Sequence, residues 1–320
     1  MTKSLAVLLS AFAVFAAPAQ AEDAPMPPLV RIVVPFAPGA STDVIARLIA
    51  SQLGPRLHTN VIVENRPGAS GMIGSNFVAK SPKDGSTLLF TSVSMLSTAA
   101  TTRNAPFDVI NDLVPVAIPN SGPLLIAVSS KTDIKTPADL LAAARAHPDE
   151  LTHGTGGIGT TAHLAMELLN EKAHVQIKHI PYKGASLAVS DTVGGTIDMM
   201  VAVNSTFSAQ IKSGRMRAIA VTSAEPSPAF PDLPTVASVV PGYSVDLYTA
   251  MFAPAGTPAP VLERLNREIN TIAKSKEMVA LMDNDGATPV NMTLQQAAQQ
   301  VRDSYATWKR VAETRHIQLD

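Results

Sequence analysis

Arg31-Ile32-Val33-Val34-Pro35-Phe36-Ala37-Pro38-Gly39-Ala40-Ser41-Thr42-Asp43-Val44-Ile45-Ala46-Arg47-Leu48-Ile49 carries the decisive pattern, near the start of a 320-residue chain. A short β-branched run feeds a Pro/Gly loop, and the loop opens onto residues with helical spacing. Backbone N–H groups at a helix start lack intrahelical partners, and the helix dipole favours negative charge there. The stretch therefore predicts a strand, an anion-holding loop and a helix, with Ser41 or Thr42 as N-cap and Asp43 in the first turn. A second element of this kind follows a hundred residues later. Leu151-Thr152-His153 runs into Gly154-Thr155-Gly156-Gly157-Ile158-Gly159-Thr160-Thr161, then into the helix-like Ala162-His163-Leu164-Ala165-Met166-Glu167.

Before the first loop the chain opens like an exported protein. Lys3 is the only charge ahead of an apolar stretch, and Ala19-Gln20-Ala21 forms a cleavage site, so residues 1–21 are expected to be a removed signal peptide. The apolar stretch is well short of the roughly 20 residues needed to span a bilayer. With no cysteine, the chain has no disulfide, thiol nucleophile or lipid-bearing Cys. The formal charge is -1, and loss of Lys3 makes it -2, which points away from nucleic acid and from anionic membrane surfaces. The length suits two domains stabilised by hydrophobic cores.

Strand and helix patterns alternate along the rest of the chain, predicting an α/β class with largely parallel sheets. Strands are expected over residues 32–34, 61–63, 87–91, 124–128, 175–180, 197–203 and 218–222, with helices over 44–53 and 73–80 among them. Thr136-Pro137-Ala138-Asp139 reads as a helix start with proline at the first helical position. Residues 225–243 hold five prolines and read as a crossing back toward the first part of the chain. Thr257-Pro258 opens a helix with Leu262, Leu265, Ile269 and Ile272 on one face. Thr293 with Gln296 forms a capping box before a last helix whose core residues are Val301, Tyr305, Trp308 and Val311.

Catalytic chemistry finds little support. A serine-hydrolase elbow needs G-x-S-x-G, and Gly184-Ala185-Ser186-Leu187-Ala188 lacks the second glycine, so Ser186 reads as a helix-start residue. The seven histidines are scattered and form no H-E-x-x-H, so no metal is expected. Gly154-x-Gly156-x-x-Gly159 matches the dinucleotide fingerprint, but the strand before it is short and no acid closes the next strand, which ends in Pro181-Tyr182-Lys183. No cofactor is expected. His163 reads as a hydrogen-bonded packing residue, Tyr182 as a pocket wall, and Lys183 equally as a carboxylate partner or a solvated lysine. Glu64 and Arg66 are expected to brace their own turn. A hydrolase using Ser186 or His163, and a non-binding envelope protein, are the alternatives to a binding protein.

Several stretches together resemble the Bug family of periplasmic solute receptors of tripartite tricarboxylate transporters. They are Val34-Pro35-Phe36-Ala37-Pro38-Gly39 through Asp43, Val63-Glu64-Asn65-Arg66-Pro67-Gly68, Pro106-Phe107-Asp108 and Gly154 to Leu164. Pro181-Tyr182-Lys183-Gly184, Pro234-Thr235-Val236 and Ala253-Pro254-Ala255-Gly256-Thr257-Pro258 extend the likeness along the chain. The resemblance implies a type II periplasmic-binding architecture, two α/β lobes closing on a ligand between them like a Venus flytrap. Residues 22–123 and 247–320 would form lobe 1, and 124–246 lobe 2. It implies no catalysis, periplasmic localisation, a small organic acid as ligand (a di- or tricarboxylate, an acidic amino acid or an aromatic carboxylate), membrane transporter subunits as partners, and a monomer that binds no nucleic acid. By carry-over, Phe36, Ala37, Pro38, Gly39, Ala40, Thr42 and Asp43 grip the ligand from lobe 1, with Ser92 and Ser94 nearby. Thr155, Gly156, Gly157, Gly159 and Thr160, with Tyr182, Lys183, Gly184 and Ala185, grip it from lobe 2, and Val203 and Asn204 lie near the hinge. The chain departs from the family at Ala40, where glycine is usual, at Ser86, where tyrosine is, and at Tyr248, where tryptophan is.

Overall fold

The computed structural model describes residues 24–319. The expected signal peptide lies outside the described residues. Along the chain run β1 (Leu29–Val34), α1 (Ser41–Leu57), β2 (Asn60–Asn65), α2 (Met72–Ala79), β3 (Thr87–Ser92), α3 (Ser94–Thr101) and β4 (Leu113–Pro123). Then come β5 (Leu125–Ser129), α4 (Pro137–Ala146), β6 (Thr152–Thr155), α5 (Thr161–Ala173), β7 (Lys178–Pro181), α6 (Ala185–Gly194), β8 (Met199–Ala202), α7 (Ser208–Lys212) and β9 (Met216–Val221). The chain ends with β10 (Asp246–Pro254), α8 (Ala259–Ala273), α9 (Lys276–Asp283), β11 (Thr288–Pro289) and α10 (Leu294–Thr314).

The strands form two sheets, ordered β11-β4-β10-β3-β1-β2 and β7-β6-β8-β5-β9. The α/β class holds, but the sheets are mixed rather than largely parallel. β1 runs parallel to β2 and β3, and β6 parallel to β7 and β8. β10 and β4 are antiparallel to their neighbours, as are β5 and β9. The cause is connectivity. The strand that enters each sheet from the other one lies antiparallel between two of its strands, β10 between β3 and β4 and β5 between β8 and β9.

β4 and β10 gave no strand signal in the sequence. Pro115, Pro119 and Pro123 make β4 read as loop. They are tolerated because β11, the strand on its outer side, pairs only at Asn120 and Ser121, so most of that edge needs no N–H donors. α8 follows its expected pattern. Leu265, Ile269 and Ile272 are fully buried, each contributing about 1.5–3 kcal/mol. Both anticipated caps form, with Thr136 and Asp139 reciprocally bonded at α4 and Thr293 and Gln296 at α10. The N-cap of α1 differs. It is Ala40, without a side-chain bond, and Asp43 takes over by accepting from the Gly39 N–H.

The chain crosses between the sheets twice, at Leu124 and over residues 222–245. Thr222 ties the crossings together. Its Oγ1 accepts from the Leu124 N–H at 2.8 Å and donates to the Val245 carbonyl at 2.6 Å. Its backbone N–H reaches the Leu124 carbonyl, and its carbonyl accepts from Val245. α10, from the end of the chain, packs on α3 and β4 and also reaches α5, where Arg315 Nε donates to Glu167 at 2.6 Å. Among the described residues no helix is long and apolar enough to cross a membrane.

Candidate functional site

The loop from β1 to α1 is held from beneath. Asp43 is buried and accepts from the Gly39 N–H at 2.8 Å, Arg47 Nε at 3.0 Å and Asn65 Nδ2 at 2.8 Å. Burial alone would raise its pKa. The bonds from Arg47, Gly39 and Asn65 outweigh that and hold it at about 2. Asn65 Nδ2 also donates to the Phe36 carbonyl, so one amide and one carboxylate fix the turn. The Asp43 carboxylate thus faces its own loop. Ala37, Pro38 and Gly39 are exposed at the tip, and Gly39 has φ +84° with open space where a Cβ would lie. Arg66 pairs with Glu64 in the neighbouring loop, as anticipated.

A cavity of about 290 Å³ opens beside this loop. Gly39 and Thr42 from the start of α1, Ser92 from the end of β3, and Val203 from beyond β8 all line it. It therefore gathers four of the expected residues from both sheets. Ser94, at the start of α3, shares a close hydroxyl–hydroxyl contact with Ser92. Phe36, Ala37, Pro38, Ala40 and Asp43 surround the loop without lining the cavity. Asn204 turns away, its Nδ2 donating to the Asn284 carbonyl at 2.8 Å.

The second glycine loop is built by its histidines. Thr160 caps α5, accepting from the His163 N–H, and its hydroxyl donates to the Gly157 carbonyl at 2.9 Å. His163 Nδ1 accepts from the Gly159 N–H at 3.2 Å, which confirms it as a hydrogen-bonded packing residue. Thr155 Oγ1 lies 2.7 Å from His179 Nε2 and accepts from the Gly157 N–H. Gly159, at φ +75°, sits where a Cβ would meet Thr101 and Leu319, and Ser97 lies 3.3 Å from Thr161 between hydroxyls. This loop therefore rests on α3 of the first sheet. The Tyr182 loop adjoins it, since a Cβ on Gly156 would lie 3.4 Å from the Ala185 N. Gly184, at φ +117°, caps α6, and Lys183 is exposed. Tyr182 Oη donates to Asp191, and burial first, then that bond, pushes its pKa up to about 12. These residues, Thr155 to Thr160 and Tyr182 to Ala185, do not line the cavity beside Gly39.

The histidines are not all scattered. His153, His163 and His179 stack with ring centroids 3.7–6.4 Å apart. Their nitrogens do not converge, and among the described residues no group of three such side chains is placed to hold a metal ion. Ser186 sits exposed in the first turn of α6. Sequence reasoning missed Asn120, Thr249 and Asp285 on the cavity wall. Asn120 and Thr249 lie on the two strands that gave no signal, and Asp285 follows α9 in a turn with no motif.

Two mixed sheets with strand-end loops meeting at a shared cavity define the type II periplasmic-binding architecture. The chain superposes on an R. palustris protein with adipate at a TM-score of 0.75 and 32% identity, covering 91% of this chain and 98% of that one. MatC from Rhodopseudomonas palustris with bound malate matches at a TM-score of 0.72 and 27% identity, over 88% and 98%. By sequence, Protein BugT of Bordetella pertussis is 36% identical over 313 residues, 96% of each chain. The family described as the tripartite tricarboxylate transporter family receptor matches residues 45–317. This chain belongs to that family and is a periplasmic solute receptor.

Proposed function

We propose that the protein captures a small organic carboxylate between a lobe of residues 22–123 and 247–320 and a lobe of residues 124–246, and delivers it to the membrane subunits of a tripartite tricarboxylate transporter. The observation that carries this reading is the cavity where the start of α1, the end of β3 and Val203 meet. The loops at 36–43 and 155–160 lead into the starts of α1 and α5, whose first-turn N–H groups suit an anion, while the Gly39, Gly157 and Gly159 N–H groups brace the loops themselves, and the Tyr182 loop supports the second of them. The adipate and malate found in the two R. palustris proteins support the carboxylate class. The receptor acts as a periplasmic monomer after loss of residues 1–21 and performs no catalysis. A ligand touching both lobes favours the closed form by its differential affinity for it. Charge-assisted bonds contribute roughly 1.5–3 kcal/mol each, so about four, less ordering costs, give micromolar affinity.

The test is a thermal-shift screen of the mature protein against a carboxylate panel. At a hundredfold excess over Kd a ligand adds about 2.7 kcal/mol, a rise of a few degrees for a chain of this size. A panel that produces no shift, together with ester turnover lost on Ser186→Ala, would replace this reading with a hydrolase.

A further inference from the structure

The cavity beside Gly39 is polar at one end and apolar along its body. Ser41 and Thr42 from the start of α1 and Ser92 from the end of β3 gather at the strand-end loops. Beyond them the lining turns to carbon. Val44 and Ile45 come from α1, Leu281 and Met282 from α9, Leu247 from β10, and Val203 from the segment after β8. Val44 and Leu281 are 41% and 40% exposed. Large apolar side chains left open together on the rim of a cavity mark a surface that an apolar group covers.

The polar side chains of the remaining wall already have protein partners. Asn120 Oδ1 accepts from the Thr249 backbone N–H and Oγ1, both at 3.2 Å, and the Asn120 Nδ2 is buried beyond the reach of a ligand. Tyr248 donates its hydroxyl to Ser304 of α10 at 3.0 Å. Asp285 is the single charged residue among the described lining residues. One of its oxygens accepts from the Ser205 N–H at 2.7 Å and the other from the Ser205 hydroxyl at 3.1 Å. A ligand hydroxyl laid along this wall exchanges water for carbon and loses its hydrogen bonds. A methyl group in the same place leaves water at a gain.

Resting on the receptor reading above, we infer that this cavity is a subsite for an apolar ligand body, so that the receptor selects carboxylates whose chain or ring carries carbon rather than hydroxyl or ammonium groups. The carboxylate stays with the strand-end loops, and the body lies between α1 and α9. One carboxylate or two makes no difference to this selection, which is made along the body. The volume of about 290 Å³ equals about ten waters at roughly 30 Å³ each, enough for an aliphatic or phenyl body of roughly six to eight carbons.

The test is calorimetric titration of the mature protein at neutral pH with acids that differ only by a methyl or a hydroxyl, groups of similar size. The pairs are heptanoate and 6-hydroxyhexanoate, 3-methylglutarate and 3-hydroxyglutarate, and 4-methylphenylacetate and 4-hydroxyphenylacetate. Citrate and glutamate complete the panel. In each pair that binds, the methyl acid binds tighter by about fivefold or more. Val44→Ser and Leu281→Ser, both at exposed positions, each weaken the methyl acid by about threefold or more and leave its hydroxy partner within about twofold. A hydroxy acid, citrate or glutamate binding tightest overturns the apolar subsite, as does unchanged affinity in both variants, and either result leaves the receptor reading standing. If no carboxylate binds at all, the receptor reading fails and this selection fails with it.

Discussion

The imidazoles of His163 and His179 stack 3.7 Å apart, and each holds one end of the same glycine loop. His163 Nδ1 accepts from Gly159, so that nitrogen is unprotonated, and His179 meets Thr155. His153 lies behind them, fully buried, with neither ring nitrogen partnered. Glu167 Oε1, 3.8 Å from His163 Nε2, is the nearest acid, and its other oxygen is held by Arg315. Burial pushes both His163 and His179 down to about 4, with His163 adding to the shift of His179, and pushes His153 well below its ordinary value.

The sign of the pH dependence follows. Above about pH 6.5 these rings are neutral in both folded and unfolded chains, so stability is at its full value. Between about 6.5 and 4 the unfolded chain takes up protons that the folded chain refuses. Each ring then removes stability at about 1.4 kcal/mol per pH unit until the folded ring also protonates. Urea unfolding at pH 7.5, 5.5 and 4.5 should show a loss of several kcal/mol, smaller in His163→Gln. A flat profile would show that the stack titrates normally.

Gly39 and Gly159 share a positive φ but differ in surroundings. Gly39→Ala meets open space and should lower stability by about 1 kcal/mol through backbone strain alone. Gly159→Ala adds a contact of 2.6 Å with Thr101 Oγ1, which is itself bonded to the Ser97 carbonyl and cannot swing aside freely. Its cost should exceed 2 kcal/mol, with weaker carboxylate binding. Thermal melts of the two variants compare them directly, and equal losses would refute the packing account.

Asp43 and Arg47 should respond unequally to truncation. Asp43→Ala strands Asn65 and the Gly39 N–H and should remove about 2 kcal/mol. Arg47→Ala should cost less than about 1 kcal/mol, because its side chain is half exposed and water screens the pair. Because the Asp43 pKa is depressed, its contribution is present above about pH 4 and fades as pH falls toward 2. Denaturant midpoints for both variants, at pH 7 and pH 3, measure this.

Arg315→Ala leaves Glu167, 6% exposed, without its strongest partner beside the histidine stack. The expected loss is about 3 kcal/mol. Glu167→Gln in the same background should recover part of it. Non-recovery would mean that Arg315 acts through its contact with Gln176 instead.

Local rules made much of this legible. Thr136, Thr293 and the apolar face of α8 announce themselves because caps and helical periodicity act within a few residues. The loops at Gly39 and Gly154 were found for the same reason. β4 escaped notice because its prolines read as loop until the bare outer edge of the strand is known. The histidine stack and the places of Asn120 and Asp285 on the cavity wall depend on which segments lie side by side, and contact between distant segments leaves no local trace.

The bonds at Thr222 bear on the order in which the chain folds. Leu124 and Thr222, the two ends of the second sheet's segment, touch each other in the finished molecule. Once that segment has folded, it amounts to a very short loop between β4 and β10. Their pairing, remote along the sequence, then needs little further loop closure. If the middle of the chain assembles first, it brings the outer parts together, and the first sheet is completed last.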